Sequence, residues 1–526
     1  INQGKLPNLQ KLIENGTRAT LKSTIPPLTA PAWVTLMTGV NPGKHGLFDF
    51  RKLEKITYDV PFNLKPKDTY RLMHSSYYAG KTIWDILSKN GLKVCVLTMP
   101  MTYPAWEING YMLSGYPSPD FQNPAGYPME WAKKIGPLFD ISAIAINNED
   151  RLIDECHKFV RRVGNILISQ LKKGECDVYC IVFSSTDFLQ HYLWKYLSNE
   201  NSKYSKAIEN IYIEIDKYIG KSLELFDNEK CTFVVLSDHG FTSSAEKYFH
   251  TNAWLVNEGY LVCKRKSLLN KTLDLLLNPL RYQKVGLRSL LKSYFSYLPV
   301  NIQKKVTSSY YDTNLFQWTQ SKASRHRIGM AEGIVINLKN RQPLGVVEES
   351  EYEALRHEIV EKIKKLRDEE NGSQIVSEVY RREELYNGEF VEFLPDIIFM
   401  LDSKYHGGVG INSVTENASE ESKAAISGVH DMDGILILSG PKIREGEEIQ
   451  SVSIIDIFPT ILYDLELPMP NYVDGKVIRD VFKEEFASQS INYYENPFFE
   501  KKDNSNLSSK EEDAMKEALK SLGYLS

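Results

Sequence analysis

The stretch DVYCIVFSSTDFLQH, residues 177–191, combines an apolar run with two side chains that bind metals. The run VYCIVF is apolar on both faces, which is typical of a strand at the centre of a parallel sheet. Asp187 and His191 follow it four positions apart, so on a helix they project from one face. Because open α/β sheets bind ligands beyond the carboxyl ends of their strands, we expect both side chains to lie at that edge.

Two further blocks repeat this arrangement. In CTFVVLSDHGF, residues 231–241, Asp238 and His239 follow another apolar run, and His430 in SGVHDMDG comes just before the run GILILSG. Each block also has an ordinary interpretation: a surface ion pair, an Asp-capped turn and a structural histidine. Their coincidence at predicted strand ends favours a metal site. Imidazole together with carboxylate suits zinc, manganese or iron rather than calcium.

A threonine near the N-terminus has the setting of a helix start. In LTAPAWVTLMTGVNPGKHG, residues 28–46, Pro31 fits the first turn of a helix that ends at Gly39, and Thr29 lies at the cap. Simple N-capping is the ordinary role of such a residue. However, the positive end of a helix favours an oxyanion, and a hydroxyl beside metal ions can be deprotonated to a nucleophile. The combination predicts a hydrolase acting on an electrophilic, anionic centre.

Strands and helices alternate along the chain, which predicts an α/β fold with a mostly parallel central sheet and helices on both faces. The core resumes with strands at 396–401 and 434–440. We divide the chain into a first part of the catalytic core (1–263), a basic amphipathic helical insertion (264–325), a small α/β cap (326–393), a second part of the core (394–485), and a linker with a C-terminal docking tail (486–526).

The insertion has an unusual charge pattern. Residues 264–305 carry ten Lys or Arg against the single Asp274, interleaved with Leu and Tyr. A helical lid with a solvated basic face is the ordinary interpretation. A surface that attracts an anionic substrate or lipid headgroups is the other, so peripheral membrane contact through 264–305 stays open.

Composition bounds the remaining possibilities. The chain is 42% hydrophobic and 25% charged, as globular proteins are, and its net charge is −5. This balance demands no nucleic-acid polymer as partner, and it leaves the oligomeric state open. The six cysteines lack zinc-knuckle spacing; as free thiols they favour a reducing compartment, and we expect a cytoplasmic location. The chain opens at Ile1 on a helix, so we expect a strand upstream of it.

Taken together, these motifs resemble the alkaline phosphatase superfamily, and most closely its type I phosphodiesterase/nucleotide pyrophosphatase family. The pattern T-x-P-x-x-x-x-L-x-T-G-x-x-P-x-x-H-G runs from Thr29 to Gly46. The SDHG block, the G-x-H at His430 and the closing segment PTILYDLELPMPNYVDGKVI also match. The resemblance implies an alkaline phosphatase-like fold and a metal-dependent hydrolase of phosphate esters with a small phosphorylated substrate.

The resemblance also implies roles for individual residues. Thr29 would be the nucleophile and would become transiently phosphorylated. Two divalent ions, zinc first and manganese as the other candidate, would be held by two sets of side chains: Asp187, His191 and His430 for one ion, and Asp238, His239 and Thr29 for the other. His45 is expected to be structural.

Two departures from the family pattern matter. The family also holds its second metal through an Asp at the end of a first strand, which we expect upstream of Ile1. The family places an Asn after the H-G pair, whereas residues 47–51 here read LFDFR, so we expect a different substrate pocket.

A phosphomonoesterase or phosphonate hydrolase of the same superfamily is the main alternative function, and a non-catalytic metal- or phosphate-binding protein is the third. A sulfatase is excluded because Thr29 stands where formylglycine needs Cys or Ser.

Overall fold

The computed structural model describes residues 1–53 apart from residue 2, and residues 70–139, 148–226, 230–264, 316–496 and 507–521. Within these ranges the α-helices span Pro7–Glu14, Thr29–Thr38, Pro42–His45, Ile83–Lys89, Met129–Ala132, Glu149–Lys173, Ser185–Leu193, Ala207–Leu225, Thr251–Asn257, Glu349–Lys364, Arg382–Leu385, Glu420–Ala425, Ile457–Asp464, Glu484–Ala487 and Ser509–Ser521. The longer strands span Gly16–Lys22, Val94–Met99, Gly110–Ser114, Val178–Ile181, Phe233–Leu236, Gly240–Ser243, Glu332–Ile336, Val376–Arg381, Ile397–Leu401, Gly428–Asp431 and Asp433–Ser439.

The predicted α/β alternation is confirmed, and it builds two main sheets with mixed pairing. In the first sheet, Asp433–Ser439 pairs antiparallel with both Gly16–Lys22 and Phe233–Leu236. In the second sheet, Val94–Met99 pairs parallel with both Gly110–Ser114 and Val178–Ile181. The sequence predicts a mostly parallel sheet, and the antiparallel pairs of the first sheet differ from that prediction. The difference arises because apolar runs mark strands but do not encode the direction in which a neighbouring strand runs.

Two long helices pack against each other, and the first of them lies on the second sheet. The helix Glu149–Lys173 contacts the helix Ala207–Leu225 as well as the strands beneath it. It buries Leu152, Phe159 and Val163 among others, a helical spacing that the sequence predicts. The two helices approach closely at Gly164, where a Cβ would lie 2.6 Å from the ring of Tyr218. Any larger residue at Gly164 would therefore push the helices apart.

The two strands that lead to the candidate site lie at the ends of their sheets. Among the described residues, Val178–Ile181 and Phe233–Leu236 each pair with one neighbouring strand, and their side chains are half-buried. The sequence predicts buried strands in both places. A strand at the end of a sheet is covered on fewer sides, which accounts for the difference. The carboxyl ends of both strands nevertheless meet, since Nε2 of His239 lies 3.9 Å from Oδ1 of Asp187.

The cap is a four-stranded antiparallel sheet beside the two main sheets. Its strand order is Ala323–Arg325, Glu332–Ile336, Ile397–Leu401 and Val376–Arg381. The helix Glu349–Lys364 contacts it and shares its hydrophobic cluster. The strand that we expect to return the chain to the core, residues 396–401, instead pairs inside this sheet. Its apolar side chains complete the cap core. Hydrophobicity alone does not reveal with which strands such a segment pairs.

Several features of the predicted chain organisation stay predictions. Most of the basic insertion, residues 265–315, lies outside the described residues, and with it the helical lid and its membrane contact. Across the part of the chain that is described, no helix is long and apolar enough to cross a membrane. The six cysteines are free thiols, as expected. In the C-terminal tail, the helix Ser509–Ser521 contacts the core where Tyr103 donates a hydrogen bond to Glu511.

Candidate metal centre

Thr29 presents a buried hydroxyl at the start of a helix. It is the first residue of the ten-residue helix Thr29–Thr38, one position beyond the N-cap residue Leu28, where no side chain caps the helix. The ordinary capping role therefore does not account for the Thr29 hydroxyl. Thr29 is 7% exposed, and its Oγ1 lies 3.4 Å from Nε2 of His239. The helix ends at Gly39 with φ of 69°, as the sequence predicts.

The three candidate histidines are each held by a backbone carbonyl at Nδ1. Nδ1 of His191 lies 2.9 Å from the oxygen of Gly428, Nδ1 of His430 lies 3.0 Å from that of Pro27, and Nδ1 of His239 lies 3.1 Å from that of Gly240. A carbonyl oxygen only accepts, so each Nδ1 carries the proton. In the neutral rings each Nε2 then carries a lone pair, which is the arrangement of histidines that bind metals.

These lone pairs converge on one carboxylate. Oδ1 of Asp187 lies 3.2 Å from Nε2 of His430, 3.5 Å from that of His191 and 3.9 Å from that of His239. The rings of His239 and His430 stack with centroids 3.6 Å apart, and the Nε2 atoms of His191 and His430 are 3.0 Å apart. The ligand atoms of Asp187, His239 and His430 all lie within 4.8 Å of one another. One cation placed among them would contact several of these atoms.

Asp238 extends the cluster. Its Oδ2 is buried 3.3 Å from Nε2 of His239, yet it receives no hydrogen bond among the described residues. A buried carboxylate oxygen without a donor is costly unless a cation or a proton reaches it. The donor set of two carboxylates and three imidazoles, joined by the Thr29 hydroxyl, therefore fits a divalent transition metal.

Burial governs the protonation of this cluster. Burial lowers the pKa of His239 to about 4 and also lowers the pKa values of His191 and His430, so all three rings are neutral at pH 7. Burial, followed by repulsion from Asp187, raises the pKa of Asp238 to about 7. Burial alone would raise the pKa of Asp187. At the low pH where this carboxyl titrates, however, its three imidazole neighbours are charged, and they hold that pKa below its ordinary value. A proton on Asp238 thus competes with a metal near neutral pH.

The structure brings together all six side chains that the sequence singles out: Thr29, Asp187, His191, Asp238, His239 and His430. Their division between two ions stays a prediction. His45 lies apart from them: its Nδ1 accepts from the backbone N–H of Leu47, and its Nε2 lies 3.0 Å from Oγ1 of Thr35. Burial lowers the pKa of His45 to about 3. Its contacts hold the helix Thr29–Thr38 to the segment that follows it.

Sequence reasoning missed the residues that support the ligands. The carbonyls of Pro27 and Gly428 leave no mark in the sequence because every residue has one. Phe241 packs on all three rings, with centroids 4.9 Å from His191, 5.1 Å from His430 and 5.6 Å from His239. Its place directly after Asp-His-Gly is the one signal that points to it.

Comparison with known proteins gives one family match and several distant structural likenesses. Residues 1–433 match the model of the type I phosphodiesterase/nucleotide pyrophosphatase family. No curated protein matches. Human ectonucleotide pyrophosphatase/phosphodiesterase 5 overlays with a TM-score of 0.43 and 12% identity, over 91% of this chain and 95% of the other. The murine counterpart, an inactive form in complex with AMP, gives 0.42 and 10%, over 88% and 90%. These values tie this chain to no particular substrate.

The α/β fold and the cluster of carboxylates, imidazoles and a buried hydroxyl define a class: phosphoric ester hydrolases of the alkaline phosphatase superfamily. Within that class, the chain belongs to the type I phosphodiesterase/nucleotide pyrophosphatase family. The match spans every one of the six side chains at the candidate centre.

Proposed function

We propose that this chain hydrolyses phosphate diesters with Thr29 as the nucleophile and two divalent metal ions, zinc or manganese. Asp187, His191 and His430 would hold one ion, and Asp238, His239 and Thr29 the other. The observation that carries the proposal is the tautomer of the three histidines. Each ring donates Nδ1–H to a carbonyl and turns its Nε2 lone pair toward the same carboxylate. Lone pairs that face one another repel, and a cation between them would remove that repulsion.

In the proposed first step, Oγ1 of Thr29 forms a bond to phosphorus, the bond to one alcohol breaks, and that alcohol leaves with a proton. The metals supply Lewis acidity, which favours loss of the hydroxyl proton and offsets charge on the phosphoryl oxygens. Thr29 sits at the positive end of its helix, which also favours negative charge on the attacking oxygen. In the second step, the oxygen of water forms a bond to phosphorus and the bond between phosphorus and Oγ1 breaks. The phosphate monoester leaves, and Oγ1 takes back a proton.

Burial of the centre supports the same chemistry. Thr29 is 7% exposed, and His239 and His430 are each 5% exposed. In such a water-poor setting, fixed charges act more strongly on a developing oxyanion than they would in water. A centre of this kind suits an ester that brings its own negative charge to the metals.

The experiment that tests the proposal is an activity screen of the metal-reconstituted protein on matched aryl phosphates. Bis(4-nitrophenyl) phosphate represents diesters, 4-nitrophenyl phosphate represents monoesters and 4-nitrophenyl phenylphosphonate represents phosphonates. We expect turnover of the diester to exceed that of the other two. Thr29→Ala serves as the blank, and Thr29→Ser, which keeps a hydroxyl, is the matched variant that should retain part of the rate. A preference for the monoester or the phosphonate would favour the alternative members of the superfamily.

A further inference from the structure

A turn of the cap seats directly against the segments that flank Thr29. At Gly329, the Cβ position lies 3.0 Å from Cγ of Pro26, 3.3 Å from Cδ2 of Leu28 and 3.2 Å from the carbonyl oxygen of Phe48. Ile328 and Phe48 also share a small hydrophobic cluster. Residues 326–331 therefore lie on the cap side of the centre. They contact Leu28, which directly precedes Thr29 in the chain.

A second set of contacts ties the segment after Phe48 to the same centre. The ring of Phe50 packs edge-on against Tyr116 at 5.9 Å, and Tyr116 packs edge-on against Phe188 at 6.0 Å. Phe188 directly follows Asp187 in the chain. Arg51 directly follows Phe50, so it lies in the segment that these ring contacts tie to the helix of Asp187.

The charged groups around the turn include two matched pairs. Arg325 donates two hydrogen bonds of 2.6 Å to Glu332, which also accepts one of 2.6 Å from the hydroxyl of Thr251. Arg51 donates to Asp49 at 2.8 Å. The first pair is buried, with side chains 3% and 0% exposed, and it joins two neighbouring strands of the cap sheet.

Arg327 lies close enough to both pairs for the charges of Glu332 and Asp49 to act on it. Its Nη2 lies 3.3 Å from Nε2 of His406. Burial, followed by repulsion from Arg327, lowers the pKa of His406 to about 4, so its imidazole is neutral and accepts this hydrogen bond at pH 7. Burial also lowers the pKa of Arg327, although Glu332 and Asp49 act in the opposite sense. A guanidinium in this setting would be stabilised by a further negative charge.

We propose that Arg327 and Arg51 form an anion subsite beside the catalytic centre, which selects phosphate diesters whose second alcohol carries an oxyanion. The inference rests on the proposed function, because it takes the metals to hold the phosphodiester. A guanidinium suits the role because its planar fork binds a carboxylate or a phosphate through two parallel hydrogen bonds. The subsite would therefore distinguish substrates by a charge remote from the bond that breaks.

The test compares three diesters that share one leaving group. 4-Nitrophenyl phenyl phosphate is neutral beyond its phosphoryl group, and its 3-carboxyphenyl and 3-phosphonophenyl counterparts each add one oxyanion. We expect the zinc-loaded protein to favour one charged ester over the neutral ester by about tenfold in kcat/KM, as one charge-assisted contact supplies. The ester with the larger ratio tells whether the subsite takes a carboxylate or a phosphate. Arg327→Met should bring that ratio to about one.

Lys322→Met is the matched control, since it removes the same charge from an exposed position of the cap. It should leave the ratio unchanged, and Arg327→Lys should restore part of it. Arg51→Met provides a second variant should Arg327→Met fail to fold. A ratio near one in the native protein, or a ratio that survives both Arg327→Met and Arg51→Met, would overturn the subsite.

A binding measurement separates the subsite from the proposed catalysis. Phenylphosphonate, 3-carboxyphenylphosphonate and 1,3-phenylenediphosphonate keep the metal-binding group but replace the scissile ester by a P–C bond. Calorimetry on the zinc-loaded protein should give about tenfold tighter binding for one charged ligand, and Arg327→Met should abolish the difference. Failure of turnover with this binding difference retained would contradict the proposed function alone. Equal binding of the three ligands would contradict the subsite.

Discussion

Nε2 of His191 lies 3.0 Å from Nε2 of His430, while the Nδ1 atoms of the two rings lie at hydrogen-bond distance from the carbonyls of Gly428 and Pro27. Both carbonyls require a proton on Nδ1, so in the neutral rings neither Nε2 has a proton to donate to the other. Two lone pairs at this distance repel. The fold itself therefore holds these imidazoles in a state that a shared cation would stabilise.

His191→Ala is expected to lower metal affinity by more than about 100-fold, because it removes a ligand rather than a supporting contact. The measurement is metal content after dialysis against a zinc buffer. His357→Ala is the matched control, since His357 is exposed on the cap helix Glu349–Lys364. Equal metal content in the native protein and both variants would contradict the assignment of His191 as a ligand.

Metal affinity is expected to fall as the pH drops below about 7. The pKa of Asp238 is raised to about 7 by burial and by Asp187, so below that pH a bound proton must leave before a metal binds. The pKa of His239 is lowered to about 4, so this ring does not compete in the same window. Zinc affinity measured from pH 5 to 7 should rise by about tenfold per pH unit, and it should level off above pH 7.

The slope has its own control. Asp238→Asn should bind zinc weakly at every pH and lose most of the dependence between pH 5 and 7, since no carboxylate titrates at that position. A native protein whose zinc affinity is flat across this window would show that Asp238 is already ionised without metal.

Glu332→Gln is expected to destabilise the cap by about 3–5 kcal/mol, because it leaves the buried guanidinium of Arg325 without its counter-charge. Urea unfolding followed by tryptophan fluorescence measures the loss. Glu448→Gln removes a carboxylate from the exposed pair with Arg18 and should change the free energy of unfolding by less than about 1 kcal/mol. Equal effects of the two substitutions would show that burial of the cap pair carries no extra cost.

Much of the candidate centre follows from the sequence because its ligands occur in short blocks. Asp187 and His191 are one helical turn apart, and Asp238 and His239 are adjacent, so each pair is set by local structure. His430 is different. It reaches the cluster through the strand Gly428–Asp431, which pairs with Gly240–Ser243. The spacing along the chain contains nothing of that pairing. The position of His430 beside an apolar run singles it out, and the resemblance to a family groups it with Asp187 and His191.

The parts that the sequence misplaces depend on long-range partner choice. The strand Ile397–Leu401 is apolar, as a core strand would be, yet it pairs with two cap strands. Likewise, the apolar run after Asp177 predicts a strand buried on both faces, whereas Val178–Ile181 lies at the end of its sheet. Hydrophobicity specifies that such strands are covered. Which strands and helices cover them depends on the neighbouring elements of the fold.

Trapping of the covalent intermediate shows whether Thr29 is the nucleophile. The zinc-loaded protein is mixed with bis(4-nitrophenyl) phosphate, quenched in acid within its first turnovers, digested and analysed by mass spectrometry. We expect a 4-nitrophenyl phosphate adduct on the side chain of Thr29 and no such adduct in Thr29→Ala, whose turnover should fall by at least about 1,000-fold. Steady turnover with Thr29 unmodified, or a Thr29→Ala protein active within tenfold of the native one, would contradict this role.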